Sequence, residues 1–240
     1  MVTLPPLPEM GQVPWDLRPH ILTLKSEVDQ VIERVGVSPM QFGAVGDGIA
    51  DDTLALRGAV GSGKTVLIDN DYRITAAIDV TTRGQIILGA GGKVTSSLVN
   101  RIFVTLADDV RYEGVHTVGG RTAYVLGPAN PFVLPTLPYA VGNRASVVRC
   151  FADGAAEFVR ANYTSGHKIS HNTAVNVEEF GVTLWGGDAN PNNPATFPGV
   201  GNYLVRDVVI DNNTIVGKGM TYQAFAHVTA GIWGGSIADV

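Results

Sequence analysis

The chain has 240 residues, of which 45% are hydrophobic and 16% are charged, and its formal net charge is −5. This length and composition allow a sizeable buried core and exclude an intrinsically disordered chain. The mild negative charge, without a cluster of Lys and Arg, argues against binding to nucleic acid, which depends on cations placed against phosphates. Attraction to a membrane surface is equally unsupported.

Glycine, proline and cysteine narrow the class of fold further. The 29 glycines and 13 prolines disfavour a helical bundle, because each costs about 1 and 3 kcal/mol, respectively, inside a helix. A turn-rich β architecture is therefore predicted. The one cysteine, Cys150, excludes an intramolecular disulfide framework and is expected to be a small buried residue in a protein made in a reducing compartment.

Residues 1–19 are predicted to form an extended docking arm. Five prolines in this segment fix φ and remove backbone donors, so the arm cannot join the interior of a sheet. Its start has no basic region and no unbroken apolar stretch, so we expect no signal peptide. No segment reaches the roughly 18 apolar residues of a membrane span.

Residues 20–38 are predicted to form a neck helix with one narrow apolar stripe. The apolar positions follow a heptad seam, with charged residues outside it: Leu17, Ile21, Leu24, Val28, Val31 and Val35. Two interpretations remain open: a short amphipathic helix packed on its own domain, or a trimerising neck, which β-branched seam residues favour. Gly36 and Pro39 indicate the end of the helix.

The stretch "QFGAVGDGIADDTLALRGAV", from Gln41 to Val60, is the most informative in the chain. Its glycines predict tight turns with positive φ. Asp51 or Asp52 is then suited to be the N-cap of a short helix that runs to about Val60. Phe42 through Thr53, with Ala55, resembles the first motif of the pectate-lyase-like superfamily of right-handed parallel β-helices, F-G-A-x-G-D-G-x-x-D-D-T-x-A.

This resemblance implies an all-β solenoid over residues 39–240, with the short helix as its N-terminal cap. The following "GKTVLIDNDYRI" is similar to the first coil of the superfamily, although "DND" replaces the usual Pro-x-Gly turn. The motif is shared by polysaccharide lyases, glycoside hydrolases and bacteriophage tailspikes, so it is specific for fold and weak for activity.

Internal repeats support a solenoid independently. The apolar positions Val66, Ile68, Ile74 and Ile78 recur as Ile86, Leu88, Val94 and Leu98, and this period of about 20 residues is typical of stacked β coils. In a second repeat, "ISHNTAV" from Ile169 matches "IDNNTIV" from Ile210. "GVTLWGG" from Gly181 is echoed by "GIWGG" from Gly231.

Two Pro-rich segments, residues 127–139 and 188–200, are predicted to be insertions that leave the stack. Asn172 and Asn213 occupy equivalent positions in the second repeat. Coils stacked about 4.8 Å apart would let such asparagines form a hydrogen-bonded ladder, so we predict a structural role for both.

The segment "GAVGSGKT" fits the nucleotide-binding pattern G-x-x-x-x-G-K-[ST] through Gly58, Gly63, Lys64 and Thr65. A phosphate-binding loop needs a strand before it and a helix after it. The predicted helix lies before this segment and the predicted strand after it, so we interpret the match as fortuitous and predict no cofactor.

Acidic residues near the C-terminal half are weak catalytic candidates: Glu178, Asp207 and Asp211. In a strand "DVVID", Asp207 and Asp211 would share a face but lie about 13 Å apart, beyond the roughly 6.5 to 9.5 Å of an inverting glycosidase pair. Glu178 and Glu179 would face opposite sides of a strand. No catalytic constellation is evident, so enzymatic activity stays open.

Two other residue pairs have weaker signals. His167 and His171 have the spacing of a helical metal pair, but a strand would separate them too far for one ion, so no metal is predicted. Trp185 and Trp233 could stack on sugar rings, although their equivalent positions before Gly-Gly favour a packing role.

The combined pattern favours a virion protein that resembles bacteriophage tailspikes or tail fibres. The expected organisation is a homotrimer that docks on tail or baseplate proteins through residues 1–38, is assembled in the host cytoplasm and displays a β-helix for host surface polysaccharide. The alternatives are a polysaccharide lyase or glycoside hydrolase acting in its own right, and a purely structural tail connector.

Overall fold

A computed structural model describes residues 36–97, 99–128, 142–162, 164–186, 205, 207–218 and 224–230, with residues 185–186 and 224–230 described by their backbone. These residues form a parallel β-helix, in which successive coils stack strand on strand in three sheets. All strand pairs are parallel. The predicted fold class is therefore confirmed.

Each complete coil contributes one strand to each sheet in turn. Sheet 1 contains β2 (Val66–Ile68), β5 (Ile86–Gly89), β8 (Arg111–Glu113), β11 (Ser146–Val148), β14 (Lys168–Ser170) and β17 (Val209–Asp211). Sheet 2 contains β1 (Asp47–Asp51), β3 (Asp71–Ile74), β6 (Lys93–Ser96), β9 (His116–Gly119), β12 (Phe151–Asp153), β15 (Thr173–Val177) and β18 (Thr214–Gly217). Sheet 3 contains β4 (Ile78–Val80), β7 (Arg101–Thr105), β10 (Thr122–Leu126), β13 (Glu157–Asn162), β16 (Phe180–Gly186) and β19 (Ala224–Ala230).

The N-terminal cap consists of a 3₁₀ turn, Pro39–Phe42, and the helix α1, Thr53–Gly61. Asp52 is the N-cap residue by position, but its carboxylate does not cap the helix. Instead it accepts hydrogen bonds from the backbone amides of Val45 and Gly46 at 2.7 and 3.2 Å. The neighbouring Asp51 accepts a hydrogen bond from the backbone amide of Thr53, the first residue of the helix, at 3.1 Å. Asp52 therefore has the predicted N-cap position, whereas the Asp51 carboxylate bonds to an amide of the first turn.

Val37, near the start of the described residues, forms a parallel bridge with Val66 of the first coil. Ser38 then joins a polar cluster: its Oγ donates to Asp69 Oδ1 at 2.9 Å, and the buried Tyr72 donates its hydroxyl to the same oxygen at 2.6 Å. Burial raises the pKa of Tyr72 to about 12. This cluster fastens the beginning of the β-helix to its first coil.

Tyr72→Phe is expected to lower the free energy of unfolding by about 1 kcal/mol, the typical net contribution of one hydrogen bond. The ring remains in the core, so the loss is limited to the bond from the hydroxyl to Asp69 and its longer contact with Ser38 at 3.3 Å. Urea denaturation of the two proteins measures the difference. An unchanged unfolding midpoint would show that Ser38 alone holds Asp69 in place.

The stacking register differs from the predicted period. Val66 pairs with Ile87, Tyr72 with Val94 and Ile74 with Ser96, so the observed offsets exceed the predicted one by one or two positions. A shift of one residue exchanges the two faces of a strand. Accordingly, Ile87 is buried and Ile86 is exposed, and the predicted equivalence of Val66 with Ile86 was wrong.

The second repeat is confirmed, because Ile169 pairs with Ile210 and Thr173 with Thr214. The similarity between the segments that start at Gly181 and Gly231 does not correspond to the strand pairing in sheet 3. There, β16 pairs with β19 (Ala224–Ala230), so Gly181 does not pair with Gly231. Gly231 lies outside the described residues, as does most of each predicted insertion.

The interior is filled by aliphatic side chains and an aromatic cluster. Phe103 and Tyr124 stack with ring centroids 5.9 Å apart, and Tyr112 lies 5.3 Å from Phe103 and 5.0 Å from Tyr124.

Cys150 is buried and free, as predicted. Burial raises its pKa to about 11, so it is a packing residue rather than a reactive thiolate. Over the described ranges, no helix is long and apolar enough to cross a membrane.

Candidate functional site

The acidic residues singled out from the sequence do not come together in one site. Glu178 and Glu179 lie in the turn between β15 and β16, not in a strand. Each is engaged in an ion pair, Glu178 with Lys218 at 3.2 Å and Glu179 with Arg121 at 2.9 Å. The expectation that they face opposite sides of a strand was therefore wrong.

Asp207 and Asp211 also fail to share a strand. Asp207 precedes β17 and has a φ of 56°, a left-handed conformation that marks a turn. Asp211 is the last residue of β17, and its Oδ2 accepts a hydrogen bond from the side-chain Nδ2 of Asn212 at 3.0 Å. The assumed strand "DVVID" is shorter than predicted because the turn at Asp207 interrupts it.

The remaining sequence candidates fall partly outside the described residues. Trp185 is placed by its backbone in β16, opposite Asn162 and Thr229. Trp233 and the six seam residues lie outside the described range. Their proposed roles in sugar stacking and oligomerisation therefore remain predictions.

The predicted order around the nucleotide-binding pattern is confirmed, with α1 before it and β2 after it. Gly58 lies inside α1, and Gly63 and Lys64 lie in the exposed turn that follows the C-terminal end of the helix. The backbone oxygen of Lys64 accepts a hydrogen bond from Gln85 at 3.0 Å. The turn with Gly63 and Lys64 therefore lies at the C-terminal end of α1, the end towards which the backbone carbonyl groups point. The backbone amides that would hold a phosphate are at the opposite, N-terminal end of a helix.

The two histidines have different surroundings. His167 is buried and its Nε2 lies 2.8 Å from Thr164 Oγ1, whereas His171 is exposed, with a φ of 58°. Among the residues that the structure describes, no three His, Cys, Asp or Glu side chains are grouped as metal ligands would be.

The outer face of sheet 2 is more promising, because its side chains form two continuous columns. We call it the ladder face. Its strands bury every second residue, as in β3 and β6, and turn the others outward. The register aligns a first outward column of Asp71, Lys93, His116, Phe151, Thr173 and Thr214. It aligns a second of Arg73, Thr95, Val118, Asp153 and Val175.

Neighbours in the first column interact directly. Lys93 Nζ lies 3.1 Å from Asp71 Oδ2, and both side chains are about two-fifths exposed. One step further, the rings of His116 and Phe151 meet edge to face with centroids 4.7 Å apart. Burial, followed by the Lys93 charge, lowers the pKa of His116. The column therefore presents a carboxylate, an ammonium group, an imidazole that favours its neutral form, and a partly exposed aromatic ring.

A pocket of about 300 Å³ opens where β3 and β6 end, beside the second column. Its walls are rich in hydrogen-bonding groups and comprise Arg73, Ile74, Thr75, Thr95, Ser96, Ser97 and Asn100. The volume is at the lower end of the range for small-molecule sites.

Local hydrogen bonds hold the pocket walls in place. Asn100 donates through Nδ2 to the Thr75 backbone oxygen at 2.8 Å, and Thr75 donates its hydroxyl to Asp51 at 2.6 Å. Arg73 donates to the backbone oxygen of Ile49 at 3.2 Å. The guanidinium group of Arg73 is exposed and has further donors available to a ligand, because an arginine has five N–H groups.

None of the ladder-face residues was a sequence-based site candidate. The face is created by stacking, and the predicted period gave the wrong register for it. Strand alternation alone could have indicated that Asp71 and Arg73 share the outward side of one strand with Tyr72 inward. It could not have shown which residues of the next coils lie beside them.

These features define a parallel β-helix protein with one lateral face that is polar, partly aromatic and periodic. No protein-family model matches the sequence, and no curated protein matches it significantly. Solved structures with a similar fold include the A-module of the Azotobacter vinelandii mannuronan C-5 epimerase AlgE6. It is 16% identical with a TM-score of 0.51, over 75% of this chain and 56% of that chain. At this identity the likeness extends to the fold alone, and it confirms the fold to which the sequence resemblance pointed.

Two phage proteins are similar at lower TM-scores. The pre-mature bacteriophage phi29 gene product 12 is 14% identical (TM-score 0.38, over 69% of this chain and 30% of that one). The tailspike protein of Acinetobacter baumannii phage AM24 is 12% identical (TM-score 0.32, 84% and 48%). This chain thus spans about half or less of the length of these structures.

Proposed function

We propose that this chain is a tailspike-like or tail-fibre-like virion protein that binds host surface polysaccharide on the ladder face. The observation that carries the proposal is the first outward column, in which a hydrogen-bonding or aromatic side chain recurs at each coil step of about 4.8 Å. A linear polymer of repeating units can satisfy such a periodic set of donors and acceptors over several coils.

The chemistry of the face suits a sugar ligand. Arg73, Thr95 and Asn100 offer donors and acceptors for hydroxyl groups beside the pocket, and Phe151 offers a partly exposed ring on which an apolar sugar face can lie. The neighbouring Lys93 and Asp71 form an ion pair, so the column has no net charge there and does not select strongly for an ionic ligand.

The proposed attachment to the virion rests on the sequence. Residues 1–38 are proposed to dock on tail or baseplate proteins through the part that precedes Val37 and Ser38, which are bound to the first coil. The seam residues are proposed to hold a homotrimer. Imaging of phage particles that carry a labelled copy of this chain, with a count of copies per particle, tests this part. Label that is absent from the tail contradicts the virion assignment.

Arg73→Ala and Phe151→Ala are each expected to weaken polysaccharide binding about tenfold or more, a difference of about 1.4 kcal/mol. Each substitution removes one kind of contact, a charge-assisted donor or a stacking ring. Binding of the full chain to capsular polysaccharides from a panel of host strains provides the measurement.

Arg83→Ala is a suitable control, because Arg83 is an exposed arginine paired with Asp109 at 2.8 Å, in the turn that leads from sheet 3 to sheet 1. It is expected to bind as wild type does. If both ladder-face variants also bind as wild type does, the ladder face is not the binding site. Release of oligosaccharides in the same incubations would identify an enzyme, and no release from any strain would reject that alternative.

A further inference from the structure

The N-terminal cap exposes a group of apolar side chains that no core residue covers. Their exposed fractions are high: Leu54 81%, Ile49 76%, Val45 56%, Met40 43% and Phe42 39%. We call these five residues the cap surface. Contiguous exposed apolar groups of this kind are uncommon on a monomer and mark interaction sites.

Several contacts bring the members of the cap surface together. A Cβ on Gly58 would lie 3.0 Å from the ring of Phe42, so Phe42 packs directly on α1. Leu54 is one turn earlier on the same side of the helix. On the other flank, a Cβ on Gly46 would lie 3.0 Å from Met40 Sδ, which places the 45–46 loop against Met40.

Val45 and Ile49 lie in the segment that joins the 3₁₀ turn to α1. The Asp52 carboxylate, at the start of α1, holds the amide of Val45 at 2.7 Å. Ile49 lies on β1, which has β3 as its one strand neighbour in the described residues. An edge strand with an exposed apolar residue is open to association.

We propose that the cap surface is a contact surface for a second copy of this chain. The seam predicted over residues 17–35 ends directly before Gly36, and the cap surface begins shortly after it, at Met40. Copies that associate through their seams bring their caps together around the same axis, at a high effective concentration.

The short length of the predicted seam also supports a contact between caps. The seam spans fewer than three heptads, too short for a stable helix association by itself. Apolar contacts between caps would supply the missing buried area. The cap surface thus extends the predicted seam interface onto the β-helix.

The test compares Ile49→Gln/Leu54→Gln with wild type by sedimentation equilibrium of the full chain over a range of concentrations. Both side chains are more than three-quarters exposed, so the monomer fold is expected to be unchanged, which circular dichroism checks. We expect the dissociation constant of the oligomer to rise at least tenfold. Val99→Gln is the matched control, because Val99 is 82% exposed in the turn between β6 and β7.

Three outcomes overturn the proposal. Wild type is monomeric at every concentration, or the double variant associates as wild type does. In the third, the double variant has a lower thermal midpoint that does not depend on concentration, which would indicate that residues 17–35 cover the cap of their own chain. Binding of a short oligosaccharide separates this proposal from the ladder face: Leu54→Gln alone is expected to retain it and Arg73→Ala to weaken it about tenfold. Leu54→Gln is used alone here because Ile49 lies on β1, a strand of sheet 2.

Discussion

Asn172→Ala is expected to destabilise the β-helix by about 3 kcal/mol, because an unsatisfied buried group costs about 1 to 3 kcal/mol and hydrogen bonds are lost besides. The Asn172 side chain is buried and makes three hydrogen bonds: Oδ1 accepts from the Cys150 amide, and Nδ2 donates to the Val147 backbone oxygen and to Asn213 Oδ1, all at 2.8 to 2.9 Å. Alanine would leave the Cys150 amide buried without this partner.

Denaturation in urea measures the effect, and two variants serve as comparisons. Asn213→Ala removes the next step of the ladder, where the side chain is half-buried, so a smaller loss is expected. Thr214→Ala changes an exposed residue of the neighbouring strand β18 and is expected to alter stability by no more than about 0.5 kcal/mol. A loss for Asn172→Ala as small as that for Thr214→Ala would contradict a ladder that carries buried backbone groups.

The Asn ladder was predictable from the sequence because both of its members stand at the same position of two heptapeptides that share four of their seven residues. The cap was predictable for a related reason. Its glycines and Asp52 act on close neighbours in the chain, as the bonds from the Asp52 carboxylate to the 45–46 loop show. Local rules of turn and helix chemistry therefore predict the turns and the position of the N-cap residue, although not the hydrogen-bond partners of the Asp52 carboxylate.

The ladder face was not predictable, because its members recur at unequal intervals. The step in the chain from Asp71 to Lys93 is close to that from Lys93 to His116, whereas the step from His116 to Phe151 is about half as long again. The turns between sheets differ in length from coil to coil, and residues 127–145 separate β10 from β11. A period read from apolar residues therefore drifts by one or two positions, which is sufficient to exchange inward and outward faces.

The stability of the fold is expected to fall by about 3 kcal/mol as the pH decreases from about 6.5 to 4, because of His167. Burial lowers the pKa of this residue to about 4, against about 6.5 in an unfolded chain. Below pH 6.5 the unfolded chain binds a proton that the folded chain does not, which favours unfolding. The contribution is complete above pH 6.5 and is lost as the pH falls to 4, at about 1.4 kcal/mol per unit.

His167→Gln removes this titration, so its stability is expected to depend less on pH between 6.5 and 4, even if glutamine packs less well at neutral pH. The quantity compared is the slope of the unfolding free energy against pH, from urea denaturation at half-unit steps. His116 acts in the same direction in both proteins, since its pKa is also lowered.

Asp109→Asn separates this effect from carboxylate titration. Hydrogen bonds from Arg144 and Arg83 lower the pKa of Asp109 to about 2, so its contribution is present above pH 4 and is lost only as the pH falls towards 2. This variant should keep the wild-type slope between 6.5 and 4. If His167→Gln keeps the wild-type slope in this range as well, His167 accepts a proton in the folded state as readily as in the unfolded state. That result would contradict the conclusion that His167 is buried as a neutral imidazole.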